Sequence, residues 1–267
     1  MFQITIPLLY AGAGVALALS RLPRAGASGR PYLWAAMTAL GVALIFHARF
    51  LFGQIFVEHG LQLSLANSAS FVGLQLAVIA LLGSLDERLR GLATGLLILA
   101  AIASAATGAH TSGDAVASSW QLQAHILVSL FAYGLLAVGA IVAVFALLQD
   151  RRLRDRNLGN LNALFAPLET TERLLFGVTT GGFLSLLLAV LSGFLFVENL
   201  FAQHLVHKTV LSIIALVIFG VLIAGRHFAG WRGRRAVSLY LWGFAILCLA
   251  YFGSRFILEN ILNRSWG

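Results

Sequence analysis

Residues 121–149 read QLQAHILVSLFAYGLLAVGAIVAVFALLQ, a run with no Asp, Glu, Lys or Arg. A helix needs about 20 apolar residues, at about 1.5 Å each, to cross hydrocarbon about 30 Å thick. This run exceeds that length, so it predicts a spanning helix whose inner end projects past the bilayer. The same criterion selects seven more segments, at 3–20, 32–52, 64–84, 90–108, 174–198, 206–225 and 236–261. No alternating barrel pattern accompanies them, and within lipid only closed helices then satisfy the backbone. The expectation is an all-α polytopic membrane helical bundle, with eight transmembrane helices and residues 1–267 forming a single transmembrane domain.

Composition agrees. The chain is 60% hydrophobic and 10% charged, with mean hydropathy +0.90. A soluble globule carries about 25% charged residues. Lipid is therefore the main solvent and the first partner. The net charge of +8 does not point to nucleic acid, because the basic residues sit in short loops between apolar spans. The first, third, fifth and seventh loops hold Arg21, Arg24 and Arg30; Arg88 and Arg90; Arg151, Arg152, Arg154, Arg156 and Arg173; and Arg226, Arg232, Arg234 and Arg235. Arg49, Lys208, Arg255 and Arg264 fall on the other side. The positive-inside rule makes the first set cytoplasmic, so both termini are expected to be external. The first span has no basic residue before it, the reverse of a signal n-region, so no cleaved leader is expected. The single cysteine, Cys248, excludes an internal disulfide and a Cys-x-x-Cys redox pair.

The seven histidines are unevenly placed. On this topology His47 lies in the outer part of the second span, and His125 one turn inside the outer end of the fifth. His59 and His110 fall in outer loops, His204 and His207 precede the seventh span, and His227 alone is cytoplasmic. Imidazole is a good ligand for haem iron, zinc and copper. An ionisable side chain within a span is by default a functional-site hypothesis, and His47 and His125 meet that description best. Ser129 and Tyr133 follow His125 at i+4 and i+8, on one helix face that is expected to point into the bundle. Two readings stand side by side. One is an interhelical hydrogen-bond seam; the other is an iron ligand with Ser129 and Tyr133 lining its pocket.

Elsewhere the chain offers less. Asp150 to Arg156 is a solvated charge run, and Leu161 to Leu175 around Pro167 reads as an interfacial segment. Gly177 and Gly181 form a small-xxx-small pair, either a specific packing site or an ordinary pair of membrane glycines. No phosphate-binding glycine loop, nucleophile elbow or His-Glu-x-x-His pattern is present, and no enzyme activity is expected.

Five segments, taken in order, resemble one family. They are Trp120-Gln-Leu-Gln-Ala-His125 running on to Tyr133, Ala166-Pro-Leu-Glu169, His207-Lys208-Thr-Val-Leu-Ser212, Gly230-Trp-Arg-Gly-Arg-Arg-Ala236 and Tyr251-Phe-Gly-Ser-Arg255. Together they resemble the cytochrome c assembly family of integral membrane proteins, which includes the CcsA and CcmC types, and within it the short YpjD-like branch. The match is best over 120–260. The resemblance implies a multi-pass protein of the bacterial cytoplasmic (inner) membrane that handles haem, with other cytochrome c assembly membrane proteins as partners. It also implies that a histidine eight residues before a tyrosine, here His125 and Tyr133, is a haem ligand. Parts of the family pattern are missing. Asn199-Leu-Phe-Ala-Gln-His-Leu-Val206 holds no tryptophan where relatives carry a tryptophan-rich haem platform, and Ala224 stands where they carry a membrane histidine. The chain also ends before the relatives' last external histidine. The expectation is therefore a membrane-embedded haem b with iron held by His47 and His125. His207 is a further candidate ligand, as is His204. Arg49, Lys208 and Arg255 are candidate partners for the propionates, and Arg255 has an alternative partner in Glu259 at i+4. A different class of function, a permease or an accessory subunit for metal-ion efflux, would use the outer histidines as a metal entry site.

Overall fold

The computed structural model describes residues 2–21, 29–57, 60–61, 65–105, 119–154, 168–196 and 203–250. Within them each of the eight expected segments contains a helix: α1 (Phe2–Leu19), α2 (Arg30–Ile55), α3 (Leu65–Ser84), α4 (Arg90–Ala105), α5 (Trp120–Arg154), α6 (Leu168–Phe196), α7 (Gln203–Ala229) and α8 (Gly233–Cys248). Two short strands follow α2, β1 (Phe56–Val57) and β2 (Gly60–Leu61), paired antiparallel with Phe56 opposite Leu61.

The expected count of eight transmembrane helices needs correction. Among the described residues, five helices are both long and apolar enough to cross a membrane: Arg30–Ile55, Ala66–Ser84, Trp120–Arg152, Leu168–Phe196 and Val206–Ala229. The apolar parts of α1 and α4, Ile4–Leu19 and Arg90–Ala105, are shorter. At about 1.5 Å per residue, the 16 residues of α4 extend about 24 Å, against about 30 Å of hydrocarbon. The described part of α8 is also 16 residues long. Hydropathy marks where apolar residues lie but not where the helix ends, so it overcounted. The assignment of both termini to the external side required an even number of crossings, and it falls with that count. An all-α polytopic membrane protein is what stands.

The chain forms two compact units. The first comprises Met1–Ser118 and Leu148–Arg173; the second comprises Ser119–Leu147 and Leu174–Gly267. In the first, α1 packs on α2 and α4, and α3 packs on α2 and α4. Pro31 opens α2, where its missing N–H costs nothing. Ala36, Leu40, Ala43, His47, Leu51 and Ile55 then form one buried stripe at three- and four-residue steps. On α4 the buried stripe is Leu92, Ala93, Leu96, Leu97, Ala100, Ala101 and Ser104. A β-carbon added at Gly73 would meet that of Ala103 at 3.0 Å, so the glycine sets how closely α3 approaches α4. At the α3–α4 turn the Arg90 guanidinium donates to the Ser84 carbonyl at 3.1 Å, and the Asp86 carboxylate accepts from the Arg88 N–H at 2.9 Å. Burial lowers the Arg21 pKa from its ordinary value; the Glu87 carboxylate opposes that shift and Arg90 adds to it.

In the second unit α7 packs on α8, and α5 meets α6 and α8 through individual side chains. Tyr240 on α8 is fully buried, and its hydroxyl donates to the Leu136 carbonyl on α5 at 2.8 Å. The Tyr240 ring lies over Gly139, where a β-carbon would collide with it, and stands edge-on to Phe219 of α7 at 5.1 Å. Gly181 and Gly182 on α6 face the side chains of Leu135 and Leu136. Gly230 and Gly233 adopt positive φ (62° and 59°) in the α7–α8 turn, a conformation that only glycine takes without strain. Arg226 lies 4.6 Å from the centre of the Phe176 ring and donates to the Trp231 carbonyl, while Arg235 lies 4.1 Å from the centre of the Trp231 ring. Large apolar side chains such as Ile4, Ile45 and Leu195 are at least 70% exposed, as a lipid-facing surface requires.

Candidate functional site

The first unit holds one of the two intramembrane histidines. His47 is fully buried on the inward stripe of α2. Its Nδ1 lies 2.9 Å from the Tyr10 hydroxyl of α1, and its Nε2 lies 2.7 Å from the Ser70 hydroxyl of α3. Both ring nitrogens are thus engaged, and one imidazole ties three helices together. A metal reaches this ring only if Tyr10 or Ser70 gives way. Gln75, buried on α3, has neither amide atom hydrogen-bonded among the described residues. Arg49 is exposed, with its guanidinium folded along its own helix toward Gly53.

The second unit holds the other. His125 is half-buried near the start of α5. Its Nδ1 lies 2.9 Å from the hydroxyl of Ser192 on α6. The ring edge sits against Gly193, where an added β-carbon would come within 3.1 Å of Cε1. The Ser192 hydroxyl donates to the Ala189 carbonyl at 3.0 Å. Nε2 has no hydrogen-bond partner among the described residues. The charge that acts on the ring is that of Lys208, half-buried on α7. One nitrogen braced and one bare is how proteins usually present a metal-binding histidine.

The other expected residues fall around this ring. Ser129 donates to the His125 backbone carbonyl at 2.8 Å, so its hydroxyl hydrogen is spent within α5. Tyr133 is half-buried two turns further along, and His207 is exposed beside Lys208. His204 lies in α7, but its side chain is outside the described residues, as are His59, His110, Arg255, Glu259 and the stretch 161–167. His227 is exposed at the end of α7. No group of three or more His, Cys, Asp or Glu side chains suited to a metal ion occurs among the described residues. Sequence reasoning missed Ser192, Gly193, Tyr10 and Ser70. The available signal was that a polar side chain inside a span must find a partner on another helix. That rule requires a partner without saying which hydroxyl it is.

Comparison with known proteins places the chain in a lineage. Residues 33–262 match the family described as cytochrome C assembly protein. The inner membrane protein YpjD of Escherichia coli K12 is 32% identical over 226 residues, covering 82% of this chain and 85% of that protein. A 28.8 kDa protein of Azospirillum brasilense is 32% identical over 142 residues, about half of each chain (52% and 52%). The cytochrome c biogenesis protein CcsA of Guillardia theta is 22% identical over 169 residues, covering 57% of this chain and 56% of that protein. No solved structure matches.

Proposed function

The chain belongs to the cytochrome c assembly protein family, and from that premise we propose that it is a haem-binding membrane protein that holds haem b for cytochrome c assembly or related haem handling. It is a multi-pass inner-membrane protein. The observation that carries the proposal is the bare Nε2 of His125 beside a braced Nδ1. Haem b, if bound, would supply iron able to take an imidazole nitrogen as a ligand. The residues fit that group. His125 offers a lone pair inside a span, and Gly193 gives the ring edge room. Lys208, whose charge already acts on the ring, supplies a cation for a propionate. Ser129 and Tyr133 lie on the same helix face, and His207 stands as a further ligand in the same proposal. His47, in the other unit, holds α1, α2 and α3 together.

Holding haem is a binding task, so the chain itself makes or breaks no bond. The partners that supply or accept the haem are other membrane proteins of the assembly process. The test is an absorbance spectrum of the protein purified from cells supplied with haem. A Soret band is expected, and His125→Ala should abolish or shift it. An absent band, or one indifferent to His125→Ala, overturns the proposal.

A further inference from the structure

We infer that Ser192 is a positioning residue that fixes the His125 imidazole as the tautomer protonated on Nδ1, leaving the Nε2 lone pair as its outward-facing ligand. The inference rests on the proposed haem role for what the lone pair is used for, but not for the tautomer itself. A neutral imidazole has one donor nitrogen and one acceptor nitrogen. A serine hydroxyl has one hydrogen and two lone pairs. The Ser192 hydroxyl lies 3.0 Å from the Ala189 carbonyl, which can only accept, so the hydroxyl hydrogen points there. What Ser192 turns to His125 at 2.9 Å is then a lone pair, and Nδ1 must donate to it. The hydrogen therefore sits on Nδ1, and Nε2 is left with its lone pair.

His47 differs from His125 in its partners. Tyr10 and Ser70 flank it, so both of its ring nitrogens are engaged. Around His125 one side is committed and the other open. Gly193 completes the device, because its missing side chain lets the ring edge lie flat on α6 at the distance the Ser192 bond needs. Such bracing of a ligand's second nitrogen is typically worth about 10–100-fold in metal affinity.

The test uses the full chain in lipid nanodiscs with nitrogen-15 histidine. Nitrogen chemical shifts distinguish a protonated from an unprotonated ring nitrogen without any haem present. The expected spectrum shows His125, assigned by its loss in His125→Ala, protonated on Nδ1 and bare on Nε2. Protonation on Nε2 instead overturns the inference. Titration with ferric haem b should show Ser192→Ala weaker than the parent by about 10–100-fold, and Ser192→Thr, which keeps the hydroxyl, close to the parent. If Ser192→Ala is folded and binds as the parent does, Ser192 has no positioning role. The haem reading fails separately: if no form of the protein binds ferric haem b, the tautomer result still stands or falls on its own spectrum.

Discussion

At the scale of single residues, two intramembrane histidines that look alike in sequence are held in opposite ways. His47 is saturated by Tyr10 and Ser70, whereas His125 keeps one nitrogen open. Periodicity put both on helices, and the cost of an ionisable group in a span marked both as sites. Neither argument counts hydrogen-bond partners on other helices, so the difference between them was not legible in the sequence. The difference has a consequence for stability. Tyr10→Phe and Ser70→Ala each remove one interhelical bond, and such bonds in membrane proteins average about 0.6 kcal/mol and reach about 1.7 kcal/mol. His47→Leu removes both bonds at once and leaves the buried Tyr10 hydroxyl seeking a new partner, at about 1–3 kcal/mol if it stays unmatched. Unfolding measured in mild detergent should therefore rank His47→Leu below either single hydroxyl variant. Equal stability across the three would contradict the three-helix tie.

Among the elements, helix positions were legible and helix ends were not. Every apolar run became a helix, because lipid forbids unsatisfied backbone. Among the described residues, the apolar parts of α1 and α4 are shorter than a full crossing. The small-residue pair on α6 was left as either an interface or a coincidence, and the structure splits it. Gly181 faces Leu135, with 3.1 Å available to an added β-carbon, while Gly177 has nothing within 4 Å among the described residues. Gly181→Ala should therefore be the less stable of the two alanine variants, because the Leu135 methyl must shift by a few tenths of an ångström to admit it. Gly177→Ala should be neutral, or stabilising by up to about 1 kcal/mol through better helix propensity. A thermal melt of the two variants side by side separates them, and an equal loss for both would refute this packing of α6 on α5.

For the whole molecule, the arginines orient what the helices span. The last turn of α5 carries Arg151, Arg152 and Arg154, and α5 continues to Arg154 as the long apolar run suggested. These cations suit both the negative end of the helix dipole and the cytoplasmic surface. A reporter fused after Arg154 is expected to read cytoplasmic; a periplasmic reading would reverse the orientation. Membership of the family was legible from a few ordered segments between residues 120 and 255, and the match extends over residues 33–262. The number of crossings was not legible, since it depends on lengths that composition only approximates.

The Leu136 carbonyl, deep in α5, is shared. Its own helix offers it the N–H four residues on, and Tyr240 adds a hydroxyl at 2.8 Å from another helix. A carbonyl pulled from two directions has a longer, softer C=O bond. Isotope labelling of that one carbonyl would let its infrared stretch be read alone, shifted to lower frequency than its neighbours in the same helix. The shift would vanish in Tyr240→Phe while the helix itself persisted. That single vibration would report whether α8 is seated on α5 in the living membrane, without a label large enough to disturb either helix.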